Sequence, residues 1–203
     1  MRLPHAPAAA LAIAILMPIG PRAIVVTPTP RDVERALKLA QEREQRRADF
    51  HKPYIIKPDH PLVEQVDVVT EYRRYVLTTE EQLRMGNWLF AQSVKDAQEK
   101  LKPFRERLTL TTRLRFHPHN VLIGVPPYEI AIGNPDLAPL DLTRTPIYAL
   151  ISGRRGDTNA PLIGATLEAV FNAATIGQAP RPMILSLERK AEASILIDFG
   201  RLE

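Results

Sequence analysis

Two histidines one residue apart, His117 and His119, form the most concentrated group of chemically active side chains in the sequence. They belong to RFHPHN, residues 115–120. Imidazoles at this spacing can bind a metal ion or exchange protons. A protein metal site needs three or more ligands, and this segment supplies two. The pair is therefore compatible with a metal-dependent hydrolase of periplasmic or cell-wall substrates, with His117 and His119 as base or ligands, but it does not define one.

The same segment offers a different chemistry through Arg113, Arg115 and His117. These residues share one parity in a stretch that alternates as a β-strand, so their side chains should project from one face. Guanidinium and imidazole groups pair well with carboxylates and phosphates. We predict that the three residues bind an anionic group, carried by an acidic protein or an anionic cell-envelope component. The alternative is a solvated edge strand whose positive charge blocks aggregation.

Other motifs point to no reaction. Arg155-Gly156-Asp157 spells RGD, but a polar turn explains it equally well. The four serines lie outside any G-x-S-x-G elbow, and phosphate-loop and dinucleotide glycine patterns are absent from the sequence. We therefore predict no catalytic residues, no metal site and no cofactor, and favour a binding or interaction protein over an enzyme.

The N-terminus has the form of a secretory signal peptide. Arg2 supplies a positive charge, residues 8–17 are apolar without interruption, and Ala23 is a small residue suited to cleavage. Ten apolar residues are too few to cross a hydrocarbon core about 30 Å thick. We predict that residues 1–23 are removed, leaving a periplasmic or secreted bacterial protein without a transmembrane segment. The alternative is a buried N-terminal helix.

Composition bounds the remaining classes of function. The 203 residues contain no cysteine, which excludes disulfides, thiolate nucleophiles and cysteine-based zinc sites. Removing Arg2 and Arg22 lowers the 27 basic side chains to 25, against 23 acidic ones, so the mature formal charge is only +2. This small excess, with no recognisable module, argues against nucleic-acid binding.

Two helices are predicted in the first half of the chain. Thr29 and Pro30 can begin one that runs from Arg31 to Asp49, docked through its first half and solvated in its second. A proline-rich connection to residue 61 and a strand from Leu62 to Val76 follow. A capping box at Thr78-x-x-Glu81 then begins a long amphipathic helix over 79–103. Trp88 and Phe90 are predicted to lie in the core.

The second half reads as a series of short strands. Apolar residues alternate over 108–117, 128–132 and 163–171, and further apolar runs lie at 121–125, 147–151, 183–187 and 195–199. The run at 147–151 is predicted as a central strand, and 163–171 could also be a helix. We predict an α+β fold in which an antiparallel β-sandwich or partial barrel over 108–203 is covered by the long helix. The predicted organisation is a signal peptide (1–23), an N-terminal helix with its connection (24–61) and one domain (62–203).

Overall fold

The structure, a computed structural model, describes residues 27–133, 136–149 and 160–202. The signal-peptide prediction and the RGD turn lie outside these residues. The helices are α1 (Pro30–Ala40), α2 (Glu44–His51), α3 (Glu71–Arg84), α4 (Val94–Leu101) and α5 (Ala173–Ile176). The strands are β1 (Ile55–Ile56), β2 (Val63–Val69), β3 (Arg107–Arg115), β4 (Glu129–Ile132), β5 (Asp141–Tyr148), β6 (Leu162–Asn172), β7 (Arg181–Leu187) and β8 (Lys190–Ile197).

The predicted α+β class is confirmed. The strands form two antiparallel sheets, one in the order β1-β2-β3-β6-β5 and the other in the order β4-β7-β8. Neither sheet closes into a barrel within the described residues. Across these same residues, no helix combines the length and apolar character that a membrane crossing requires.

The predicted N-terminal helix begins as expected and then divides into two. Thr29 caps α1 by accepting the backbone N–H of Asp32, while the Asp32 carboxylate accepts the backbone N–H of Thr29 at 2.9 Å. After Ala40 the Gln41 side chain donates to the Leu37 carbonyl at 3.0 Å, where α1 ends. The separate helix α2 has no buried residue, in agreement with a solvated second half.

The strand predicted from Leu62 to Val76 is wrong beyond Val69. Thr70 accepts the backbone N–H of Arg73 at 3.2 Å and begins α3 there. Tyr72, Val76 and Thr79 recur at helical spacing, so this stretch satisfies both a period of two and a period near 3.6. The segment forms a helix because Thr70 caps it and because the helical conformation buries one apolar face.

The single long helix over 79–103 is also wrong. Helix α3 ends at Arg84, Gly86 takes a positive φ of 80°, and α4 begins only after the Ser93 cap. Glycine adopts this left-handed conformation without the steric cost that a side chain imposes. The break turns Trp88 outward, with 63% of its surface exposed, whereas Phe90 is buried as predicted.

Two separate hydrophobic clusters replace the predicted helix-covered sheet. One combines apolar residues of both sheets, including Leu110 from β3 and Leu185 from β7. The other lies between helices and includes Leu37 of α1, Val76 of α3 and Leu101 of α4. The apolar face of α3 therefore packs against its neighbouring helices, because the break after Arg84 lets α4 fold back beside it.

The C-terminal strands follow the predicted pattern with two exceptions. Alternation over 108–117, 128–132 and 163–171 is realised as β3, β4 and β6, and the choice of strand over helix for 163–171 is settled. The predicted central strand at 147–151 is wrong for its described part. Ile147 and Tyr148 end β5, which is an edge strand with mostly exposed residues. The run at 121–125 is a loop.

Gly164 of β6 lies close against the backbone of β3. An added Cβ would overlap the Leu114 carbonyl oxygen of the paired strand. The register of β5 against β6 also shifts beside this residue, between Ile147 and Tyr148. A side chain at position 164 would have to push the two strands apart, and backbone atoms cannot move as a flexible side chain can.

We expect Gly164→Ala to lower the free energy of unfolding by about 2 kcal/mol or more, because its methyl group forces β3 and β6 apart. Gly124→Ala is the matched control, since nothing lies within 4 Å of its added Cβ. Urea denaturation of both variants measures the difference. Equal stabilities would show that the strands accommodate the methyl group.

Glu71 at the start of α3 is a buried carboxyl, with only 3% of its surface exposed. Burial raises its pKa above the usual 4.5, and this outweighs the opposing effects of the Glu106 backbone N–H, which donates at 2.8 Å, and of Arg105. The folded state therefore binds a proton at a pH where the unfolded chain has already released it. Stability contributed at this site falls as the pH rises from about 4.5 through the raised pKa.

We expect Glu71→Gln to flatten this part of the pH–stability profile, because the amide stays neutral and its oxygen still accepts from Glu106. Above the raised pKa the variant should be at least as stable as the wild type. Urea unfolding at a series of pH values measures both effects, with Glu81→Gln on the exposed face of α3 as control. A wild-type slope that persists in Glu71→Gln would contradict the assignment.

Candidate functional site

The candidate site lies at one end of the five-stranded sheet, where four strand ends meet. Because β2 and β6 both run antiparallel to β3, and β5 runs antiparallel to β6, the beginnings of β2 and β6 lie beside the ends of β3 and β5. A cleft of about 660 Å³ opens at this place. It is lined by Pro61, Leu62, Glu64, Arg113, Leu114, Arg115, Phe116, His117, Pro118, Asn120, Leu122, Ile147, Ile163 and Gly164.

All three residues predicted to bind an anion line this cleft. Arg113 is partly neutralised, since its Nε lies 3.1 Å from a carboxylate oxygen of Glu64. Arg115 is exposed and makes no ion pair with any residue that the structure describes. His117 follows directly after the strand and is also exposed. Arg115 is therefore the cation in the cleft whose charge is not already balanced by a described neighbour.

His117 has a defined hydrogen-bonding role. Its Nδ1 accepts the backbone N–H of His119 at 3.2 Å. In the neutral ring the proton must then sit on Nε2, which makes Nε2 a donor. His117 can thus donate a hydrogen bond to an anion without carrying a charge itself.

Within the described residues, His117 and His119 do not belong to a group of three or more possible metal ligands. Their ring centres lie 5.4 Å apart, which is compatible with a shared ligand or with simple ring contact. No group of three or more His, Asp or Glu side chains converges there as a metal site would need. The geometry therefore adds nothing in favour of the metal-dependent alternative.

Asn120 fastens the loop that forms one wall of the cleft. Its side-chain amide donates to the carbonyls of His117 at 2.7 Å and Leu162 at 2.8 Å. Its side-chain oxygen accepts the backbone N–H of Leu122 at 3.0 Å. Further along, Val125 packs against the cluster shared by the two sheets. The loop is therefore held at both ends, and Leu122 points into the cleft.

Sequence reasoning missed the apolar walls of the cleft. Leu62, Ile147 and Ile163 come from three different strand ends, and their convergence depends on the sheet order. Phe116 continues this surface inward and stacks on Tyr128, with ring centres 6.3 Å apart. Burial raises the pKa of the Tyr128 hydroxyl. Ile163 shares the parity of the buried Ala165 and Leu167, so the sequence pattern gave no sign that it would lie exposed in this wall.

A second group of polar side chains connects the helices to the sheet. The Arg73 guanidinium is buried, forms an ion pair with Asp67 and donates to the Val68 carbonyl at 2.6 Å. Its Nε donates to Nδ1 of His51 at 3.2 Å, and the opposite nitrogen of that ring lies 3.2 Å from Glu80. Each of these groups is already paired with another protein group. We therefore interpret the network as structural.

No protein-family model matches the chain, and neither the curated proteins nor the solved structures include a significant match.

Proposed function

We propose that this protein is an exported, non-enzymatic binding protein whose cleft takes an amphipathic anion, a carboxylate or phosphate joined to an apolar body. The observation that carries the proposal is the position of Arg115. This unbalanced cation lies in a cleft whose other walls include Leu62, Ile147 and Ile163. A ligand that matches the cleft needs an anionic group at one end and an apolar surface at the other.

Both parts of such a ligand would contribute to affinity. A charge-assisted hydrogen bond to Arg115 is stronger where apolar groups exclude water. His117 Nε2 can donate a second one. Apolar groups of the ligand would gain about 25 cal/mol for each Å² removed from water against the aliphatic walls. Arg113 adds less, because Glu64 already offsets its charge.

The size of the cleft favours a small ligand over an acidic protein surface. A volume of about 660 Å³ lies within the range of about 300–1,000 Å³ that is usual for small-molecule sites. A protein partner would instead need a broad complementary face. An amphiphile with one anionic group is the simplest occupant.

Binding without catalysis is favoured by the residues that line the cleft. Among them, only Glu64 and His117 carry groups that could serve as a general acid or base, and Glu64 is already paired with Arg113. The lining contains no serine, threonine or lysine that could act as a nucleophile. A single imidazole, with no such nucleophile among the lining residues, does not form a catalytic set for hydrolysis.

Two finer features of the architecture belong to this proposal. Thr112 of β3 donates its hydroxyl to the Met183 sulfur of β7 at 3.5 Å, and the shared cluster supports a sandwich of two facing sheets. The described part of segment 24–61 contributes Tyr54 to this cluster and Leu37 to the helical one. We therefore place it in the same domain as residues 62–203.

Export is supported by the sequence of residues 1–23 alone. Intact mass of the natively produced protein should correspond to a chain that begins near Ile24, since a signal peptidase removes the apolar segment. A mass that includes Met1 would contradict export by this route.

Calorimetric titration with dodecanoate, below its micellar concentration, tests the ligand class. We expect one site per chain, with affinity about tenfold lower in Arg115→Gln because a charge-assisted hydrogen bond is lost. Arg107→Gln, at the opposite end of β3 on the same face, is the matched control and should bind normally. Arg113→Gln should show a smaller loss than Arg115→Gln.

Two further ligands make the titration specific. Acetate lacks the apolar body and should bind far more weakly, while the cationic amphiphile dodecyltrimethylammonium should not bind. Unchanged affinity in Arg115→Gln, or equal binding of both amphiphiles, would refute the proposed function.

A further inference from the structure

The loop beside the cleft presents two aliphatic side chains to solvent. Val121 is 93% exposed and Ile123 96% exposed, the highest values among the large hydrophobic residues that the structure describes. Leu122 between them lines the cleft instead. Since Asn120 holds the backbone here through three hydrogen bonds, the outward pair is presented by a fastened loop.

Cationic and imidazole side chains surround this aliphatic pair. Arg115, His117 and His119 immediately precede the loop, and all three are exposed. We call these five residues (Arg115, His117, His119, Val121 and Ile123) the cleft rim. Two protruding aliphatic groups beside an unbalanced positive charge form a surface complementary to an anionic lipid interface.

We infer that the cleft rim docks on an anionic phospholipid bilayer. Val121 and Ile123 would enter the boundary between headgroups and acyl chains, while Arg115 would meet headgroup phosphates. The loop backbone would remain among hydrated headgroups, where its carbonyl and N–H groups can still bond to water. The cleft would then open at the membrane surface.

A lipid surface fits this rim better than a protein partner does. A stable protein interface commonly buries about 800 Å² on each side and is anchored by aromatic or arginine residues in pockets. The rim instead offers two narrow aliphatic groups, a single exposed arginine and no Trp, Tyr or Phe. Shallow insertion needs only such groups, provided that charge supplies the remaining attraction.

The docking goes beyond the proposed function and does not require it. If both hold, the amphipathic anion of the cleft would be a lipid or an acyl compound drawn from the bilayer. Its anionic group would pass from the membrane surface to Arg115, and its apolar part from the acyl layer to the aliphatic walls.

Flotation of the full chain with vesicles tests the inference. The vesicles consist of phosphatidylcholine alone or with about one third phosphatidylglycerol, which gives a negative surface potential. On the anionic vesicles we expect Val121→Ser/Ile123→Ser to bind at least about tenfold more weakly than the wild type. Arg115→Gln should lose about fivefold, and its loss should shrink at high salt.

The control variant leaves the cleft rim unchanged. Leu196→Ser removes an aliphatic side chain of β8 that is 66% exposed and should bind as the wild type does. Because all variants have the same apolar N-terminal residues, differences among them do not arise from that segment.

Three outcomes would overturn the docking inference. These are unchanged anionic-vesicle binding by Val121→Ser/Ile123→Ser, an equal loss in Leu196→Ser, or a rim effect just as large on neutral vesicles. A rim variant that only abolishes self-association, or association with another protein, would equally overturn it.

Dodecanoate titration separates this inference from the proposed function. The serine double variant should still bind dodecanoate in the cleft, because Leu122 and Arg115 are unchanged. Wild-type protein that binds anionic vesicles through the rim but does not bind dodecanoate would refute the proposed function and support the docking.

Discussion

The antiparallel pairing of β3 with β2 on one side and β6 on the other is the constraint on which the cleft depends. It brings the start of β2, the end of β3 and the start of β6 to one sheet end. Gly164 lets β6 approach β3 at this point, where a side chain would meet the Leu114 carbonyl. The cationic end of β3 and the aliphatic walls therefore share one space because backbone geometry places them together.

Two neighbouring arginines of α3, the buried Arg73 and the half-buried Arg74, join the helical layer to this sheet. Arg73 reaches Asp67 and the Val68 carbonyl of β2, and it lies over the Tyr54 ring with 4.8 Å between guanidinium carbon and ring centre. Arg74 donates to Thr109 of β3 at 2.7 Å. A buried guanidinium is costly unless paired, so these contacts favour one arrangement of helix on sheet. Phe50 packs against both apolar clusters, and the polar contacts help to fix the position of one cluster relative to the other.

Capping residues and apolar periodicity predicted those elements that depend on interactions between residues close together in the sequence. The cap at Thr29 and the alternation of β3 and β6 were readable because a hydrogen-bonded turn and a two-residue period involve only nearby residues. Residues 70–76 were misread because their apolar residues satisfy two periods at once. The division at Gly86 was missed because the stripe of apolar residues continues past it, and its left-handed φ is set by the folded chain.

The sequence by itself determined which groups could bind an anion. Arg113, Arg115 and His117 alternate along the chain, and alternate residues of a β-strand project from the same face. Only the tertiary structure decided their different electrostatic surroundings. It pairs Arg113 with Glu64, leaves Arg115 without a described ion-pair partner, and adds aliphatic walls from other strand ends. The reason is physical: side-chain direction along a strand is local, whereas strand order and register join residues that are far apart in the chain.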